Sequence, residues 1–168
     1  MQKPFPAHWE QILRAHVAFF EALDEEGKAR FRQLVQIFLD EVRITGIRTE
    51  VDATIRVLVA ASAAIPIFGF HDWEYRRLRE GLIYPDSFDD AYQSHGGADE
   101  TILGMVGLHH LSGVMILSKP ALLAGFADES GHHNVGVHEF AHLFEKEASE
   151  YGLPPEVRPL VQVVDDWF

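Results

Sequence analysis

The stretch Asn134-Val135-Gly136-Val137-His138-Glu139-Phe140-Ala141-His142 decides the reading of this chain. His138 and His142 are four positions apart, so on a helix their imidazoles share one face, about one turn from each other. Two such nitrogens can hold one zinc ion at ~2.0–2.1 Å each. Glu139 falls at the edge of that face. From there its carboxylate reaches a zinc-activated water and serves as general base, while the metal polarises a substrate carbonyl. Val135, Val137, Phe140, Ala141, Leu143 and Phe144 supply the apolar surface that beds the rest of the helix and holds the ligands rigid. Asn134 has the chemistry of an N-cap and Gly152 that of a stop, so the spacing predicts a helix to about Tyr151.

Working outward, residues 126–133 read as polar loop and residues 119–125 as a helical turn. Residues 102–108 and 113–118 are short apolar runs, read as strands joined through His109-His110-Leu111-Ser112 in the manner of a hairpin. Residues 94–99, with Gly96-Gly97, read as a loop, and Leu82-Ile83-Tyr84 before Pro85 as a short strand. The start is helical: Trp9, Ile12, Leu13, Val17, Phe20 and Leu23 recur at helical spacing, then Phe31, Leu34, Val35, Phe38, Leu39 and Val42 in a second run ended by Gly46. Asp52 caps a third helix with Ile55, Leu58, Val59 and Ser62 on one face, and Pro66 is expected to stop it. Beyond Pro154-Pro155 a last helix is expected over residues 156–168. It ends on the apolar Trp167-Phe168, where a polar fray is usual, so a following segment is expected.

Composition narrows the function. The 168 residues suit one domain, read as a helical scaffold over about 1–66 and a small sheet with the zinc helix over 80–168. Acidic residues outnumber basic ones, 26 to 14, for a formal charge of -12. A nucleic-acid groove or an anionic membrane repels that balance, so neither is expected as a partner. With no cysteine, disulfides and thiolates are excluded, and a metal must be held by His, Asp or Glu. The start lacks the apolar run of a signal peptide, and the most apolar stretch, residues 57–70, is broken by Pro66 and Gly69. A soluble, cytoplasmic protein is the expectation.

A catalytic zinc takes three protein ligands and a water. Glu145 shares the histidine face one turn further on and is better placed to orient a neighbour than to bind metal. Asp165 and Asp166 follow His142 at a distance that suits a third ligand, yet acidic residues there read more readily as a solvated face. His109-His110 and His132-His133 are adjacent pairs of the kind usually found exposed. His8, His16, His71 and His95 have no partner at metal spacing, and Asp86, Asp89 and Asp90 read as a solvated cluster. No nucleophile elbow and no phosphate-cradling loop is present.

Taken together, these residues resemble the bacterial zinc-dependent peptidases of the Mlc titration factor A family. The resemblance runs from about Phe31 to Trp167. It is carried by Phe38-Leu39-Asp40-Glu41, the helix after Asp52, Ile83-Tyr84-Pro85 with Phe88, residues 114–118 and, most specifically, the block from Asn134 to His142. It implies an α+β, zincin-like fold, aminopeptidase-like hydrolysis of peptide or protein substrates with zinc as cofactor, and binding to a sugar-responsive transcriptional repressor. The chain departs from the family at Gly107-Leu108-His109-His110 and at Leu117-Ser118-Lys119, where Gly-Glu-Xaa-Trp and Leu-Ser-Trp are usual. The family's third ligand is a Glu on a later helix, beyond Phe168, so this form is expected to be C-terminally short. The rival expectation is a truncated or inactive zincin-like protein that works by protein contact.

Overall fold

Val17 breaks the first helical run in two. In the computed structural model, which describes residues 3–70, 75–85, 113–128 and 133–151, α1 spans Ala7–His16 and α2 spans Ala18–Glu21, with Val17 extended between them at φ -113°, ψ 91°. Leu13, Val17 and Phe20 are all buried, so the inward face that their spacing marks is kept through the kink. Asp24 then accepts a hydrogen bond from the Gly27 amide at 2.7 Å and caps α3, Glu25–Glu41.

The second run does not continue as helix to Gly46. Val42 is extended, and Arg43–Gly46 forms a strand, β1. The β-branched Val42, Ile44 and Thr45 favour that switch, because their crowded χ1 suits a pleated strand better than a helical turn. After a tight turn, Asp52 accepts from the Ile55 amide at 2.9 Å and starts α4, Ala53–Ile67, as expected.

The helix α4 is buried on nearly every side rather than on one face: Ile55, Val57 to Ala64, Pro66 and Ile67 are all inside. Pro66 does not stop it ahead of itself but sits in its last turn. A proline lacks one amide donor and costs the last turn one bond, and the helix ends at the next residue, Ile67; Phe68 bonds back to Ile65 at 3.3 Å. Arg30 of α3 closes that end, donating from its guanidinium to the carbonyls of Phe68 and Phe70 at 3.1 Å each.

Three strands make one sheet in the order β1-β2-β3, with β2 at Glu80–Tyr84 and β3 at Val114–Ser118. Both pairings are parallel: Arg43 lies opposite Glu80, and Glu80 opposite Val114. Parallel neighbours need long crossovers, and α4 lies in the connection from β1 to β2. The strand expected over 102–108, its hairpin connection, the loop at 94–99, Gly152 and the helix over 156–168 lie outside the described residues. Gly113 feeds β3 at φ +79°, a left-handed conformation that suits glycine, and a Cβ there would stand 2.5 Å from the Arg77 carbonyl.

Ser118 caps α5, Lys119–Ala127, by accepting from the Ala121 amide at 3.3 Å. This helix is longer than the turn expected over 119–125 and takes the start of the loop expected after it. Val135–Tyr151 forms α6, the helix of the histidine pair. Among the described residues the chain is therefore α+β, six helices with a small parallel sheet. Side chains from α1 to α6, β2 and β3 meet in one apolar core.

Candidate metal centre

Asn134 begins α6 as its cap, its side-chain oxygen accepting from the Val137 amide at 3.0 Å. The first turn is pressed into its neighbours by small residues. A Cβ on Gly136 would collide with the Ser62 hydroxyl of α4 and stand 3.0 Å from Leu122 of α5; a Cβ on Gly125 of α5 would stand 3.0 Å from Asn134. Phe140 and Phe144 turn inward, meeting Phe38 and Tyr75 at ring centroid distances of 5.6 and 5.5 Å, and Phe70 at 5.0 Å. The inward aromatic stripe fixes the rotation of the helix, and that rotation decides where its other face points.

On that other face His138 and His142 come together. Their Nε2 atoms are 2.9 Å apart, with the rings nearly perpendicular at 85°. Two lone pairs facing each other at that distance repel, so either a proton or a cation belongs between them. Two zinc–nitrogen bonds of ~2.0–2.1 Å at a tetrahedral angle need a separation of about 3.3 Å. The pair is a few tenths of an ångström from that, within what a small side-chain rotation supplies, and its donor set suits zinc. Among the described residues no third His, Asp or Glu joins the two.

Glu139 is 9% exposed, and its burial raises the carboxyl above its ordinary value; the nearby His142 opposes the rise. Glu145 lies beside the pair, its carboxylate 3.9 Å from His142 Nδ1, too long for a hydrogen bond, and its side chain is 59% exposed. His133, His8 and His16 are exposed. His71, His95, His109, His110, His132, Asp86, Asp89, Asp90, Asp165 and Asp166 lie outside the described residues.

Sequence reasoning passed over Glu147. It is fully buried, and its carboxylate accepts from the backbone amides of Arg77 at 3.2 Å and Arg76 at 3.4 Å. The signal was present: Glu147 follows Phe140 and Phe144 at the spacing of the inward stripe, where a charge must find partners or not be there.

The family of glucose-regulated metallo-peptidases M90 matches residues 1–167, and the chain belongs to it. This agrees with the resemblance drawn from the block around His138, and the α+β fold agrees with the zincin-like architecture that resemblance implied. The uncharacterized protein slr2042 of Synechocystis sp. is 27% identical over 152 residues, which cover 86% of this chain and 54% of that protein. The chain thus spans about half the length of that curated relative. No helix among the described residues is long and apolar enough to cross a membrane.

Proposed function

We propose that this member of the metallo-peptidase family is a zinc-dependent peptidase, with His138 and His142 as metal ligands and Glu139 as general base. The observation that carries the reading is the convergence of the two Nε2 atoms to 2.9 Å beside a buried carboxylate. Zinc, when bound, supplies Lewis acidity to a water and to a carbonyl oxygen. Glu139 takes the water's proton on its carboxylate and returns it to the leaving amine. Burial suits it to both transfers, because a carboxyl raised above its ordinary value gains a proton readily and still gives it up. The buried Phe140, Phe144 and Val137 hold the helix still while these groups act. An extended peptide lies along β3, one of the two outer strands of the described sheet, using main-chain hydrogen bonds to fix its register.

The finer parts of this reading rest on the family resemblance: aminopeptidase-like cleavage, a cytoplasmic setting, and contact with a transcriptional repressor. The one apolar core shared by the described residues supports reading the chain, residues 1–168, as one domain. A second reading, a zincin-like protein that acts by protein contact, draws on the lack of a third ligand among the described residues.

Elemental analysis separates the two. The parent is expected to hold about one zinc per chain, and His142→Ala to lose it. Glu139→Gln is expected to keep zinc and to lose hydrolysis by roughly 10²–10⁴-fold. A parent that takes up no zinc when zinc is supplied would overturn the peptidase reading and favour protein contact.

A further inference from the structure

Glu147 shares a helix with the histidine pair, yet no proton transfer above uses it. Its carboxylate has no exposure at all and accepts from the backbone amides of Arg76 and Arg77. Those two residues belong to the segment that runs into β2, and that segment is bonded to the start of β3. Arg79 and Glu80 donate from their amides to the Gly113 carbonyl at 2.7 and 3.0 Å, and the Arg77 carbonyl packs on the face of Gly113 where a side chain would be. Tyr75 adds a second tie at the same place. Its hydroxyl donates to the Ala63 carbonyl of α4 at 2.8 Å, while its ring packs edge-on against Phe140, next to Glu139. A short relay of hydrogen bonds and backbone contact thus connects α6 to β3, through Glu147, the Arg76–Arg77 amides and Gly113.

We propose that Glu147 is a positioning residue that sets where β3 stands relative to the His138–His142 pair, and so where a peptide bound along β3 meets the site. The proposal rests on the peptidase reading for its consequence but not for its geometry. A glutamate does this better than an apolar residue because one carboxylate can accept from two successive amides at once, pinning both the position and the direction of the segment. Glu147→Gln keeps the size and one acceptor oxygen but puts an amide donor against a backbone donor, which breaks half of the clamp.

The test compares the zinc-loaded parent and Glu147→Gln on two substrates: an extended peptide of about six residues, long enough to run along a strand edge, and an amino-acid anilide too short to do so. Expected is a KM for the peptide raised about tenfold, with kcat, zinc content and both anilide constants within about twofold of the parent. Equal losses on both substrates, or none on either, would overturn the proposal. Amide hydrogen exchange supplies a readout that needs no catalysis and no variant. In the parent, Arg77 and residues 115–117 are expected to open together, with protection within about threefold of one another, whereas independent opening would refute the coupling. A parent that cleaves neither substrate but shows the common opening would sink the peptidase reading and leave the role of Glu147 standing.

Discussion

Glu139 is kept at a cost that can be measured without any substrate. Its folded carboxyl is raised by burial, so the native chain holds a proton there more tightly than the unfolded chain does. The stability this contributes is complete below the ordinary carboxylate value and is lost as pH rises through the raised one. Above that raised value the metal-free protein carries an ionised group in a poorly solvated place. On the alkaline side of that value Glu139→Gln is expected to stabilise the metal-free chain by about 1 kcal/mol, roughly 2–4 °C in Tm for a chain of this size. Thermal melts of both proteins from pH 4 to pH 8 check this, since the gap must close on the acid side. At this scale the motif residues were legible because their spacing alone places them on one face. Glu147 was passed over because a lone Glu in a helix reads as solvated, although Phe140 and Phe144 at the same helical phase mark its position as inward.

Helix α6 is positioned by what it lacks as much as by what it carries. Gly136 lets its backbone press against Ser62 of α4, and Gly125 lets α5 approach the cap residue Asn134. Gly136→Ala puts a methyl where the Ser62 hydroxyl stands, and the helix must lift or rotate two residues before His138. Overpacking of this kind costs about 1–3 kcal/mol, which urea denaturation should register as a lower midpoint with an unchanged slope. Zinc affinity is expected to fall as well, since the imidazoles move with the helix; unchanged stability and affinity would mean that the crossing is loose. Asp52→Ala is the simpler comparison, a lost cap worth about 1 kcal/mol that should leave zinc affinity alone. The caps at Asp52 and Asn134 could be read from sequence because a cap is a local arrangement of a few residues. The strand β1 could not. It begins two residues after a long helix ends, and Val42 between them continues the spacing of that helix, so periodicity carries no boundary there.

The parallel sheet belongs to the whole molecule, and here local reading gave out. Which strands pair depends on contacts between residues 43–46, 80–84 and 114–118, far apart in sequence, and no short window encodes them. The parallel pairing of β3 with β2 had no counterpart in the local reading, and the hairpin expected between 102–108 and 113–118 falls outside the described residues. The burial of α4 on nearly every side has the same origin, since its faces are covered by elements from both ends of the chain. Charge is likewise a property of the whole. With -12 spread over 168 residues, the folded state brings like charges closer together than the unfolded chain does, and that repulsion acts over distances that salt screens. The favourable pairs are of another kind. Arg32 holds Glu10 at 2.6 and 2.7 Å in a partly buried, bidentate contact between α3 and α1, and pairs that close lose little to screening. Salt should therefore weaken the repulsion more than the attraction. Raising sodium chloride from about 0.01 to 0.5 M, which shortens the screening length from roughly 30 Å to a few ångströms, is expected to raise Tm by about 2–4 °C. Glu10→Gln should show the same rise from a lower starting point, because it removes a short contact and leaves the long-range field nearly intact. A Tm that falls with salt in the parent would mean that ion pairs outweigh self-repulsion, and that the acidic surface is offset within the fold.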